Sequence, residues 1–196
     1  MAENLSDFRD WSLLARGSAD QRRAFDLLIH HRPFDRLSMY ETGLAGTFPI
    51  DLAVSGSDLD ILVQADDPLA VGPVLEAAFG GEAGYACRSV RVTDGPALVA
   101  RFRLGDVPVE IFVQALPVAR QMGWRHMMVE ARLLALAPAL RPAVRGLKQA
   151  GIKTEPAFAQ LLALPGDPYQ ALLGLEALSD SALADLLAQR WSAMSK

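Results

Sequence analysis

The stretch GTFPIDLAVSGSDLDILVQ, residues 46–64, decides how the chain is read. Its second half, with Leu59, Ile61, Leu62 and Val63, has the apolar character of a buried strand over residues 58 to 64. Yet Asp58 and Asp60 flank Leu59 at the mouth of that strand. Successive strand side chains point to opposite faces, so Asp58 and Asp60 share one face while Leu59 and Ile61 share the other. Two like charges so placed repel, and burial raises the cost, so a partner cation is expected. An isolated Asp-x-Asp also has a plain structural use, with Asp58 capping the turn after Gly56–Ser57 and Asp60 pairing with an arginine.

The surrounding residues favour chemistry over capping. Gly46–Thr47 lies about ten residues before Asp58 and offers exposed backbone N–H groups and a hydroxyl. A small pair of this kind lets a phosphate approach the backbone closely. A third carboxylate, Glu110, sits in the apolar run Val109–Glu110–Ile111–Phe112. Three acids on neighbouring strand edges make the oxygen-rich site that Mg²⁺ prefers, with phosphates and water completing the octahedron.

The rest of the chain reads as a sheet followed by helices. Residues 20 to 31 have helical spacing, with Phe25, Leu28 and Ile29 on one side, His30–His31 at the C-terminal end and Pro33 as the stop. Residues 38 to 44 suit a strand leading into the loop 46 to 56. Asp67–Pro68 opens a helix that Gly80–Gly81 closes after Phe79. Strands follow at 86 to 92, 97 to 104 and 107 to 113, separated by Asp94–Gly95 and Gly105–Asp106. From about residue 117 the sequence is rich in Ala and Leu, with breaks at Pro138, Gly151, Pro156 and Pro165–Gly166–Asp167–Pro168. The expected fold is therefore α+β, a mixed sheet domain over residues 1–116 and a helical region over 117–196 packed on it.

Composition bounds the function. The chain has 196 residues, a formal net charge of −4 and 51% apolar residues. That balance argues against nucleic acid as the main partner, while leaving room for a local basic patch around a small anion. A single cysteine, Cys87, excludes an internal disulfide, suits a reducing cytoplasm and is expected to be small core filler. The N-terminus lacks a signal-peptide pattern and no stretch approaches 18 uncharged apolar residues, so the expected setting is cytoplasmic and off the membrane.

A Gly-Thr pair, a gap of about ten residues, Asp-x-Asp in a strand and a later strand acid together resemble the polymerase-β-type nucleotidyltransferase superfamily. Residues 44 to 116 carry that pattern. The longer strings GTFPIDLAVSGSDLDI, VEIFVQALPV, RHMMVEARLL and GIKTEPAFAQLLALPGDPY resemble a small bacterial family within it, the domain-of-unknown-function family numbered 4269, over about residues 25 to 175. The resemblance implies that Gly46 and Thr47, with Ser57 beside the acids, hold the phosphates of a nucleoside triphosphate. It implies that Asp58 and Asp60 bind Mg²⁺ (or Mn²⁺), and that Glu110 takes the third acidic place and helps deprotonate the acceptor. Glu110 departs from the Asp found in many members of the superfamily.

A triphosphate needs further cations, and the helical region offers Arg125, Arg132, Lys148 and Lys153. Their plain reading is a solvated face, with Thr154 as helix N-cap and Glu155 in the first turn. His126 and Trp124 have ligand-facing readings, as base and as stacking platform, beside structural ones. The implied function is Mg-dependent transfer of a nucleotidyl group from an NTP, ATP by default, to a hydroxyl or phosphate of a small-molecule or protein acceptor. The alternative is a catalytically silent nucleotide- or partner-binding module of the same fold.

Overall fold

Strand β2 (Leu59–Gln64) is an inner strand of a five-stranded sheet. Leu59, Ile61 and Val63 alternate into the core and are completely buried, the pattern expected when one face of a pleated strand meets a hydrophobic layer. The structure is a computed structural model that describes residues 8–194. The strands are β1 (Glu41–Ala45), β2, β3 (Ala83–Val92), β4 (Gly95–Leu104) and β5 (Val107–Gln114), in the spatial order β1-β2-β5-β4-β3. Among the described residues, only β2 and β5 run parallel. Parallel neighbours need a long crossover. It consists of a 3-10 turn at Pro68–Val71, a helix at Gly72–Phe79 and the β3–β4 meander that follows.

Helix α1 (Ala19–His31) opens with a capping box, in which Ser18 and Gln21 satisfy each other's backbone N–H groups. Arg32 adopts a left-handed conformation (φ 52°) and Pro33 starts a short helix, α2 (Pro33–Arg36), so the proline both stops α1 and begins the next turn. The buried stripe of α1 is Ala24 and Leu28, four residues apart. Ile29, expected on that side, is 53% exposed because one further residue rotates it off the stripe. The helix Gly72–Phe79 is α3, and its Phe79 ring stacks on Phe102 of β4 at 4.8 Å. Asp67 caps the preceding 3-10 turn through Leu69 and Ala70 N–H groups.

Cys87 is not core filler. It lies exposed on β3, the edge strand of the sheet, most of whose residues face solvent. The expected burial does not arise because little packs against this strand.

The described residues form two compact units. One joins Phe8–Asp51 to Gly56–Trp124 and contains the whole sheet. The other joins Leu52–Ser55 to the chain from Arg125 onward and is helical. Its helices are α4 (Met122–Leu136, which begins in the sheet unit), α5 (Leu140–Gln149), α6 (Thr154–Leu161), α7 (Pro168–Leu173) and α8 (Asp180–Met194). Pro156 does not break this region. It sits in the first turn of α6, where an N–H has no intrahelical partner to lose. Among the described residues, no helix is long and apolar enough to cross a membrane.

In the helical unit Arg125 pairs with Glu176 and Arg132 with Asp180. Arg132 also donates to the Leu178 carbonyl at 2.6 Å. The hydrogen bond from Arg125 holds the Glu176 carboxyl below its ordinary range. A lowered folded value gives stability that is present above the unfolded value of 4.5 and is lost as pH falls through the folded value. Glu176→Gln is therefore expected to lower unfolding free energy at pH 7 by ~0.2–1 kcal/mol, the range for a solvent-screened pair. The difference from wild type should shrink on acidification through the carboxylate range in paired urea melts. A difference that stays constant with pH would mean that the charge does not matter.

Candidate functional site

The site begins where β1 ends. Antiparallel pairing puts Ala45, its last residue, opposite Asp60. Gly46 follows with φ +75°, and a Cβ built there would fall on the Asp60 carboxylate. Glycine is thus needed twice at this point, for its backbone conformation and for the space the carboxylate takes. The result is a backbone corner with an acid against it.

The turn after Gly46 is fixed from α1. Gln21 Nε2 donates to the carbonyls of Phe48 at 3.0 Å and Pro49 at 3.1 Å, while Phe48 and Ile50 are buried. Gln21 therefore closes the α1 capping box and clamps the loop carrying Thr47. Its capping-box signature, Ser18-x-x-Gln21, is legible in the sequence, but the loop it holds is far away in the chain. Gly46→Ala is expected to cost ~1–3 kcal/mol in a denaturant melt, from the left-handed backbone and the displaced carboxylate. An unchanged midpoint would mean that the loop does not rest on Asp60.

Asp58 is not within β2. It is exposed in the segment just before it, two residues from half-buried Asp60, and half-buried Ser57 precedes it. Parallel register then brings the third acid alongside, since Asp60 of β2 lies opposite Glu110 of β5. Register partners share a sheet face, so these two side chains are neighbours. One strand further, Arg101 of β4 lies opposite Glu110. Its Nε and Nη2 both donate to Glu110 Oε2, at 2.7 and 2.5 Å. Across the sheet the row reads Ala45, Asp60, Glu110, Arg101, Ala86.

The acids are side by side in register, but they are not gathered. Among the described residues, no group of three His, Cys, Asp or Glu side chains is placed to hold a metal ion. The expected convergence of Asp58, Asp60 and Glu110 is absent from this arrangement because the Glu110 carboxylate is drawn toward Arg101 on the far side of β5. The donor set itself suits a hard divalent cation, being carboxylate oxygens with a glycine backbone corner beside them.

Two residues along β1 and β2 from the Ala45–Asp60 pair, at Gly43 and Leu62, this face is covered. A Cβ at Gly43 would meet Val118 Cγ1 and the Trp124 ring, and one at Gly123 would touch Leu62. Trp124 is 6% exposed and packs against the sheet, so it is no stacking platform. Gln121 pins the same segment through the Val63 and Leu116 carbonyls, at 3.0 Å each.

Three of the four candidate cations of the helical unit, Arg125, Arg132 and Lys148, have structural partners of their own. Besides the Arg125 and Arg132 pairs, Lys148 donates to Thr154 Oγ1 at 3.0 Å across the Gly151 turn. Thr154 is thus the first helical residue of α6, and exposed Lys153, not Thr154, occupies the N-cap position. His126 is buried, with Nε2 3.0 Å from the Tyr169 carbonyl and Nδ1 3.9 Å from Glu155. These contacts link α4, α6 and α7, which is a packing role.

A family model described as a domain of unknown function, DUF4269, matches residues 26–175. No curated protein matches the sequence. Among solved structures the chain is similar to Cid1, described as having RNA terminal uridylyl transferase activity. The identity is 15%, the TM-score 0.50, and the match covers 78% of this chain and 45% of that one. It is also similar to a chain in the GLD-2/RNP-8 complex, at 13% identity and TM-score 0.52, covering 96% of this chain and 73% of that one. The chain therefore spans less than half the length of Cid1. At such identities the likeness establishes the fold, a nucleotidyltransferase-like mixed sheet flanked by helices.

Proposed function

Because the chain belongs to the DUF4269 family and has a nucleotidyltransferase-like fold, we propose that it transfers a nucleotidyl group from a nucleoside triphosphate to a hydroxyl or phosphate of an acceptor, with Mg²⁺ or Mn²⁺. The observation that carries this reading is the placement of Asp60 between the Gly46 backbone corner and its register partner Glu110. An acid set against a tight glycine corner and paired in register with a second acid suits a metal-bridged phosphate better than it suits a structural cap.

The roles divide among the chain's own residues. Asp58 and Asp60 would hold the divalent cation, with Glu110 sharing it on the acceptor side, and the cation would supply charge neutralisation on the phosphates. The Gly46 N–H and Thr47 hydroxyl, in the loop held by Gln21, receive the phosphate oxygens, and Ser57, next to Asp58 in the chain, adds a hydroxyl. Glu110 accepts the proton of the attacking acceptor group. That proton leaves the acceptor oxygen as the new bond to the α-phosphorus forms, and pyrophosphate departs. Transfer of this kind depends on positioning and electrostatics. Lys148 and Lys153 carry no part in the proposal.

A second reading, a nucleotide-binding module without turnover, draws on one observation, the Arg101 guanidinium on the third acid. The experiment that separates the two follows pyrophosphate release from each of the four NTPs with Mg²⁺ or Mn²⁺. The acceptor panel should span sugar and amino alcohols, phosphorylated small molecules, proteins and short RNAs, the last because Cid1 is described as acting on RNA ends. Release with any acceptor supports transfer. Tight NTP binding with no release across the panel supports the module.

A further inference from the structure

The same sheet face carries a second feature that the nucleotide site does not use. Register puts Ala86 and Arg88 of β3 and Arg101 of β4 on the face that holds Glu110 and Asp60. Arg103, two residues from Arg101 on β4, shares that face and is the register partner of Pro108. All three arginines are exposed. In an acidic protein with net charge −4, this is a local basic strip beginning one strand beyond the third acid.

Arg101 is its innermost member and differs from the others in its partner. Both of its donors go to one oxygen of Glu110, although Arg101 itself is 58% exposed and Glu110 only 23%. The arginine therefore reaches inward to neutralise a carboxylate that also adjoins Asp60. Without it, Asp60 and Glu110 would face each other as like charges on adjacent strands. A divalent cation shared by those two acids does the same neutralising work from the other side, so guanidinium and metal compete for Glu110.

We propose that Arg101 is a displaceable counter-ion, which holds Glu110 while the acids lack a metal and, once a cation takes Glu110, binds a phosphate group of the acceptor on the strip with Arg88 and Arg103. This rests on the nucleotidyl-transfer reading of the acids and adds to it the class of acceptor, one that carries its own phosphate. Guanidinium suits the exchange because its planar fork binds carboxylate and phosphate alike. Arg101 thus orders the site, with metal first and acceptor second.

The test uses the whole chain and two probes, Mn²⁺ alone and inorganic phosphate. Electron paramagnetic resonance titration measures Mn²⁺ affinity in wild type, Arg101→Gln and Arg101→Lys, with thermal melts checking that each is folded. Arg101→Gln is expected to bind Mn²⁺ at least about fivefold tighter, since the competing charge is gone, with Arg101→Lys in between. Phosphorus relaxation of inorganic phosphate by the bound Mn²⁺ should be strong in wild type and lost in Arg101→Gln and in Arg88→Gln/Arg103→Gln. Equal or weaker Mn²⁺ binding by Arg101→Gln overturns the counter-ion role while leaving the acid site intact. Relaxation that persists in the arginine variants overturns the phosphate seat. No Mn²⁺ binding by any form, with all of them folded, removes the acid site and this inference with it.

Discussion

Asp60→Asn is expected to reduce nucleotidyl transfer by at least ~10³-fold while the protein stays folded, the order of loss seen when a preorganised electrostatic group is removed from a transfer site. Asp60 sits next to both parts of the site. The Gly46 corner lies against it on one side and Glu110 is its register partner on the other. Asparagine keeps the shape, so the close approach at Gly46 survives, but it removes the charge that a cation needs. The same charge repels Glu110 in the metal-free protein, so its removal should leave the apo melting temperature unchanged or raise it. Mg-NTP should then stabilise wild type, by ~2.7 kcal/mol at a hundredfold excess over Kd, and leave the variant unmoved. A variant strongly destabilised without ligand, yet still stabilised by Mg-NTP, would assign Asp60 to a structural ion pair.

Glu110→Gln is expected to separate binding from turnover. Glutamine at this position can still accept a hydrogen bond from Arg101, so the β4–β5 contact is kept and the strand stays in register. Glu110 acts on the acceptor's proton, while the phosphates meet Gly46 and Thr47. Mg-NTP affinity should therefore stay within about tenfold, or ~1.4 kcal/mol. Pyrophosphate release should fall by ~10²-fold or more, as when a general base is lost. Equal losses in affinity and rate would instead make Glu110 a plain metal ligand.

How much of this was legible beforehand depends on the range of the interaction. The strand read at 58–64, the turns at Asp94 and Gly105 and the Asp67 cap ahead of the helix that ends at Phe79 follow from local patterns, and the structure has them within a few residues. Three acids on neighbouring strand edges were expected to converge; the parallel register puts Asp60 opposite Glu110, but the three carboxylates are not gathered. Arg101 was not foreseen. Nothing near it in the chain marks it out, and only the β4–β5 register places it opposite Glu110. Cys87 was misjudged for the same reason, since edge position is a property of strand order and not of neighbours. Lys148 and Arg125 carried the right charge for a triphosphate, but Thr154 and Glu176 engage them. Those partners are reached through turns whose geometry the sequence does not display.

Calorimetric titration of each NTP onto wild type and Asp60→Asn, with saturating Mg²⁺ and again with the metal chelated, tests the central claim most directly. The placement of Asp60 between Gly46 and Glu110 predicts that at least one NTP binds wild type with Mg²⁺. That binding should be lost on chelation and lost in Asp60→Asn. Binding that is equally tight without metal, or equally tight in Asp60→Asn, would contradict it.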